Sequence, residues 1–501
     1  MLKHVNIMAK ANVQSLGKSS LAELLSTDID ENGFLVLLEF PLRVTVKLAQ
    51  ARSGMWVRNG LALRSQAHHY RENPMRDIMY DQDLYLLQCG LLLASSDRWL
   101  VSMVDRFGLT DLFERGGSTA DQILLMADEF MLLLIFLVTE PALLGGWSTE
   151  KQIRREIVQF LAFGPSTYSD LTKHISERLA EHSSFEKVLA EVSKFRAPEG
   201  VHDLGMFELR DKAYEEVRPY FMHYTRNQRE KAEEVLIERH KKKGGSEETA
   251  TAWTAKKTDL GGSELFSEEC IANVFMTSTF MRIICSTLLH CEDSDTQVPE
   301  SLVESSLHLI SAALAEKSYA FVEKMLSTPP AAEAHASSHK TLPLLALLCK
   351  IETDDRFKFA KLKISWLIGQ ASQLTTLAKS AEGMLRINQL FKEAGKTPVG
   401  TDAQATAKPS MEARRAAIMQ KFSAQQKDLL QSLEADLEED SDEDLAAADA
   451  AQKAEGFGNC ILCQEELDDS KAFGILAHVQ PSRAMRMMPF ADVEAMAQTV
   501  N

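Results

Sequence analysis

The chain has 501 residues, more than one hydrophobic core usually serves, so it should divide into roughly two to four packed units. Hydrophobic residues at 45% and charged residues at 25% are ordinary globular proportions, which excludes wholesale disorder and collagen-like composition. With 55 basic against 72 acidic side chains the net charge is -17, which is not the overall footprint of a nucleic-acid binder.

Proline (14) and glycine (24) are few and the apolar spacing is mostly helical, so the expected fold is mainly α. Met1-Leu2-Lys3-His4-Val5-Asn6 has no apolar signal-peptide region. Seven cysteines, most of them isolated, make no disulfide framework. Together these predict an intracellular protein, cytoplasmic and with access to the nucleus. From Met79 to Val138, apolar clusters separated by short Asp/Gly/Ser breaks fit packed helices of about three to five turns. The longest apolar run, Phe130 to Val138, is far shorter than the roughly 20 residues of a spanning helix, and no membrane partner is expected. No period of about 20 to 50 residues repeats clearly, which argues against a solenoid. Residues 1–146 are taken as a helical scaffold.

Between 147 and 225 the pattern changes. Ile153, Ile157, Phe160 and Leu161 form one helical stripe, and Gly164-Pro165 stops it. Ser166 or Thr167 can cap a short second helix carrying Leu171 and Ile175. Phe185, Val188, Leu189 and Val192 make a third stripe, and Met206-Phe207-Glu208-Leu209 reads as a strand able to pair near Arg196. Three helices followed by a β-wing is the order of a winged helix. The outward positions of its third helix include Glu186, Lys187, Glu191 and Lys194, which cancel in charge; phosphate contact wants an excess of Lys and Arg. The expectation is protein–protein packing and no nucleic-acid partner.

A polar helix, Arg226 to Lys243, ends in a basic run that reads as a solvated helix end, and 244–262 looks like a linker, so 226–262 is taken as basic helix plus flexible linker. A second helical unit is expected over 263–394 and a further linker over 395–410. Met411 to Leu433 is amphipathic, with Ile418, Phe422, Leu429 and Leu433 on one face beside Arg414, Arg415, Lys421 and Lys427. The acidic segment 434–458 follows: Glu434 to Asp449 contains nine acidic residues and no basic one, so it should repel itself into disorder.

Cys460-Ile461-Leu462-Cys463 carries the one metal-like spacing: two thiolates on a tight turn can share a zinc ion as a half-site. Two incidental cysteines are the alternative. A full zinc site needs about four ligands. After Cys463 the chain offers only His478, in an apolar setting where an ordinary half-buried histidine is as good a reading.

Several stretches resemble the UBR family of N-recognin ubiquitin ligases. The most specific runs from Pro41-Leu42-Arg43 through Met55-Trp56-Val57-Arg58-Asn59-Gly60, Gln66, Tyr70, Arg76, Met79, Asp81 and Asp83-Leu84 to Leu87-Gln88. Met206 to Asp211 and Tyr220-Phe221-Met222-His223-Tyr224 agree again. Arg414, Arg415, Ile418, Met419 and Phe422 resemble the helix before the family's RING, and Cys460 to Glu466 resembles the first knuckle of that RING.

The resemblance implies a mainly α helical scaffold with an embedded winged helix and an incomplete RING-type zinc knuckle over 459–501. It implies part of a RING-type E3 ubiquitin transferase of the N-degron pathway, which positions a conjugating enzyme's thioester for attack by a substrate lysine and needs no catalytic residue of its own. Zinc on Cys460 and Cys463, a conjugating enzyme touching Ile461, Ile418, Met419 and Phe422, and ubiquitin follow as cofactor and partners. Degron-bearing substrates would be held by regions outside this chain, since the degron box, the rest of the RING and the C-terminal cap are not in it. The chain is expected to be an internal piece of such a ligase, from a truncated gene model or an incomplete assembly, departing from the family soon after the knuckle. The alternative is a non-enzymatic scaffold with a winged-helix docking module.

Overall fold

The computed structural model describes residues 31–393, apart from 57–59, 72–75, 94, 115–120, 145–146, 199–203, 243–253, 261–265, 267–268, 292–296 and 328–341. Helices α1 (Glu31–Arg52), α2 (Gly60–Arg71), α3 (Tyr80–Leu93), α4 (Ser96–Phe107), α5 (Thr110–Glu114) and α6 (Asp121–Thr139) come first, followed by the single turn α7 (Pro141–Leu144). In α4 the apolar positions Trp99, Leu100, Met103, Val104 and Phe107 fall on one buried stripe. By contrast α3 is buried almost all round, because α1 and α4 pack on it from two sides. Gly90 makes that possible: a Cβ there would stand 2.5 Å from Leu38 Cδ1 and 2.9 Å from Trp99 Cε2. Helix α6 is long and apolar enough to cross a membrane. In this fold its residues Leu124 to Val138 are instead largely buried against α1, α3 and α4.

The winged-helix region follows as α8 (Thr149–Leu161), α9 (Tyr168–His174), α10 (Glu177–Ala180), α11 (Phe185–Val192), β1 (Ser193–Arg196) and β2 (Met206–Leu209). The two strands are antiparallel, with Phe195 opposite Phe207 and Arg196 opposite Met206. All four predicted residues of the third stripe are buried on α11, and Leu171 and Ile175 join them in one core with Ile153, Ile157 and Leu161. Helix α8 gives way to a turn at Gly164, whose φ of 138° favours glycine. The two candidate caps divide the work. Thr167 Oγ1 accepts from Asp170 N at 3.1 Å, while Ser166 exchanges backbone hydrogen bonds with Phe207 at the wing.

Helix α12 (Arg226–Lys242) then leads to α13 (Cys270–Phe275), α14 (Ser278–His290), α15 (Glu300–Leu326), α16 (Leu344–Thr353), α17 (Lys361–Leu377) and α18 (Ala381–Glu393). Two expectations change here. The helices on either side of the winged helix share one continuous core from Leu38 to Phe391, with α15 lying along α6, so the described helices of the two expected segments, 1–146 and 263–394, pack together as one helical unit. A long helix that is apolar on several sides needs cover on each, and neither segment supplies enough alone. Asp97 of α4 reinforces the union by accepting from Thr279 N at the start of α14 at 2.8 Å.

The expected flexible linker is also anchored over 254–260. Ala255 N donates to Ser311 Oγ at 3.0 Å, Thr258 N to Glu316 Oε1 at 2.7 Å, and Thr258 Oγ1 to the Val138 carbonyl at 3.1 Å. Its small polar residues pair with helix groups where the composition implied water. The expected 395–410, 411–433, 434–458 and 459–501 segments lie outside the described residues.

Candidate functional site at the winged-helix junction

The winged helix meets the helical unit across a seam of buried charge. His223, on the irregular segment before α12, places Nε2 2.9 Å from Asp81 Oδ1 of α3 and Nδ1 3.2 Å from Glu156 Oε1 of α8. Arg76 Nη2 approaches the other oxygen of Glu156 at 3.3 Å. The His223 side chain is 5% exposed, those of Asp81 and Glu156 12% each. Burial and then Arg76 disfavour the imidazolium, but Asp81 and Glu156 outweigh them and hold the His223 pKa above its ordinary value. Burial alone would raise Glu156; His223 and Arg76 reverse the sign and pull it down to about 2. With a carboxylate beside each ring nitrogen, the histidine serves as a clamp, Nε2 hydrogen-bonded to Asp81 and Nδ1 facing Glu156 as an ion-pair contact.

A second set of contacts runs beside it. Glu140, 2% exposed, takes both oxygens to the Arg155 guanidinium, which also lies 4.6 Å over the Phe221 ring. Gln88 Nε2 donates to the carbonyls of Leu137 at 3.2 Å and Glu140 at 2.9 Å. On α8, Gln159 Nε2 donates to the Glu216 carbonyl at 2.9 Å, and its own carbonyl accepts from the Tyr224 hydroxyl at 2.6 Å. Tyr70 donates to Asp83 at 2.7 Å, and Arg71 Nη2 to the Met222 carbonyl at 3.3 Å.

The residues that carried the family resemblance therefore converge. Tyr70, Arg76, Asp81, Asp83 and Gln88 stand on one side of the seam, Phe221, His223 and Tyr224 on the other. Glu140, Arg155, Glu156 and Gln159 complete it, and the sequence reading passed over them. The available signal was polar residues placed inside the apolar stripe of α8, at 156 between Ile153 and Ile157 and at 159 between Ile157 and Leu161.

Chemically the seam is a lock. The imidazole is closed off by its carboxylates, and the described cysteines are all buried, with burial pushing the thiols of Cys89 and Cys285 up to about 12 and Cys270 up to about 11. Among the described residues no group of three or more His, Cys, Asp or Glu is arranged to hold a metal. Lys194, expected on this helix, falls on β1, so the outward face of α11 carries Glu186 and Glu191 against the single cation Lys187, which already faces Glu150 at 3.6 Å while Glu191 faces Arg154 at 3.9 Å. Cys460, Cys463, Ile461, Ile418, Met419 and Phe422 lie outside the described residues.

Comparison with known proteins matches these parts separately. The family described as E3 ubiquitin-protein ligase UBR1-like, winged-helix domain, covers residues 152–251, and the UBR1/2/3-like ARM repeat domain covers 1–121. No period was visible in that second region, where helices of 22, 12, 14 and 12 residues space the apolar stripes unevenly.

The E3 ubiquitin-protein ligase ubr1 of Schizosaccharomyces pombe is 29% identical over 96% of this chain and 25% of its own length. The E3 ubiquitin-protein ligase UBR2 of Mus musculus is 27% identical over 92% of the chain and 29% of its own length. Mouse UBR1 reaches 35% identity over 40% of the chain, which is 12% of that protein. The chain thus spans about a quarter of the length of the S. pombe ubr1 and mouse UBR2 relatives. The winged-helix and ARM-repeat matches together with the ubr1 and UBR2 relatives support this chain as a UBR-family member.

Proposed function

We propose that this chain is the winged-helix scaffold portion of a RING-type ubiquitin ligase of the N-degron pathway, acting in the cytoplasm and nucleus. The observation that carries the reading is the seam: the winged helix is locked to the helical unit through His223, Asp81, Glu156 and Arg76, while its outward helix has no excess of cations. A rigid spacer between a substrate-reading end and a transfer end needs this combination, because transfer by orientation depends on held geometry. The relatives named E3 ubiquitin-protein ligases support the assignment.

On this reading the Met411 to Leu433 helix contacts a ubiquitin-conjugating enzyme through Ile418, Met419 and Phe422, and Ile461 adds a contact beside the knuckle. Cys460 and Cys463 supply two thiolates of a zinc site, a donor set that suits zinc, and the remaining ligands come from outside the described residues. Zinc there would be structural, fixing the turn that carries Ile461. Ubiquitin and degron-bearing proteins are the other partners.

Ubiquitin discharge from a thioester-loaded conjugating enzyme tests the proposal on the 501-residue chain. Stimulation is expected, with loss of conjugating-enzyme binding in Phe422→Ala. Neither stimulation nor binding with any of a panel of conjugating enzymes would leave the non-enzymatic scaffold as the function.

A further inference from the structure

A cleft of about 260 Å³ opens where the tail of the winged helix, α12 and the 254–256 segment meet. In a chain of net charge -17 its walls are cationic: Arg155, Arg218, Arg239 and Lys256 line it, with Glu215 as the opposing carboxylate. Two of these cations are already matched, Arg155 by Glu140 and Arg239 by Asp211. The other two are not. Among the described residues the Arg218 guanidinium has no hydrogen-bond or ion-pair partner; its backbone is engaged, the N–H donating to Gln159 Oε1 at 2.9 Å and the carbonyl accepting from Phe221 N at 3.2 Å. Lys256 Nζ donates to the backbone carbonyl of Glu215 at 2.7 Å, and two of its three N–H bonds remain for another acceptor.

The cations crowd one another. Burial and then Arg155 work against the charge on Arg218 and outweigh Glu140 and Asp259, which favour it; burial and then Arg218 work against the charge on Lys256 and outweigh Glu215 and Glu216. Like charges held together with limited access to water are costly, and an anion seated between them reverses the sign of that term. The floor is flat and rigid: the Tyr220 ring stacks on His308 with centroids 4.0 Å apart and planes at 28°.

We infer that this cleft binds a phosphate group, held by the planar fork of Arg218 and the point charge of Lys256. A fork plus a point charge fits a tetrahedral dianion better than a single carboxylate. The volume takes a phosphate with a few further atoms, since a water occupies about 30 Å³ of liquid, and it is too small for a helix or a duplex. Arg155 belongs to α8, Arg218 to the winged-helix tail and Lys256 to the segment anchored on α15 and α6. A bound phosphate therefore ties the winged helix to the helical unit at a second point and stabilises the folded junction by mass action.

The test is calorimetric titration of the 501-residue chain with inorganic phosphate and with glycerol 3-phosphate, at physiological chloride, together with the thermal midpoint of each mixture. Saturable binding and a raised midpoint are expected, with Arg218→Gln and Lys256→Gln each weakening affinity about tenfold. Equal affinity for the two probes identifies free phosphate as the ligand, and tighter binding of glycerol 3-phosphate identifies a small phosphate ester. Lys256 is on the surface, so its variant keeps the test open even if Arg218→Gln fails to fold. The inference is overturned if neither probe saturates at millimolar concentration, or if folded Lys256→Gln binds as tightly as the parent chain.

Discussion

In the helical unit Trp99, Phe130, Phe275, Phe280 and Phe321 bury completely among leucines and isoleucines, and one core runs from α1 to α18. At the seam with the winged helix, the buried groups in contact are Asp81, Glu156, Arg76 and His223. The first kind of packing is non-directional and stabilises many arrangements of similar volume. The second returns its desolvation cost only in one geometry. Apolar mass makes the scaffold stable, and the charged seam sets the angle at which the winged helix stands on it.

The sharpest way to break that contrast is His223→Ala. It leaves Asp81 and Glu156 buried with one cation between them, and a loss of about 3–5 kcal/mol is expected because an uncompensated buried charge remains. Urea denaturation followed at Trp147, beside the seam, measures it. A loss under about 1 kcal/mol would mean that water fills the site and the lock is not there.

The matching change in the helical unit is Gly90→Ala, which pushes a methyl against Leu38 and the Trp99 ring. Overpacking of this kind costs about 1–3 kcal/mol. Denaturant midpoints of this variant and of His223→Ala, read on the same chain, should rank the seam above the core. The reverse order would show that apolar packing sets the junction as well. Thr167→Ala, which removes the cap of α9, should cost about 1 kcal/mol and leave the seam untouched.

How much of this was legible differed by region for a physical reason. Inside the winged helix the stripes Ile153–Ile157–Leu161 and Phe185–Val188–Leu189–Val192 repeat at helical spacing, and β1 and β2 pair over a short loop, so local pattern sufficed. The seam joins Asp81 to His223 across 142 positions, and no local pattern announces such a pairing. Polar residues at 156 and 159 were visible only as interruptions of a stripe. The merging of the two helical segments was hidden for the same reason, since α6 finds its cover on α15 across the intervening winged helix. Composition misread 254–260, because Thr258 and Ala255 are polar or small in the service of hydrogen bonds to α15.

The smallest expected effect separates the two regions by pH. The folded-state pKa of His223 is raised above 6.5, so its contribution is complete below that value and is lost as pH rises through the folded pKa. Glu156 is lowered from 4.5 to about 2, so its contribution is complete above 4.5 and is lost as pH falls toward about 2. The seam is therefore most stable between about pH 4.5 and 6.5, and its stability should decline as pH rises above 6.5 through the folded pKa of His223. His223→Gln carries no titrating ring and should flatten that decline while leaving the acid limb in place. If the alkaline fall survives the substitution, the histidine is not held as an imidazolium, and the seam is a neutral hydrogen-bonded contact whose orienting power rests on Arg76 and Glu156 alone.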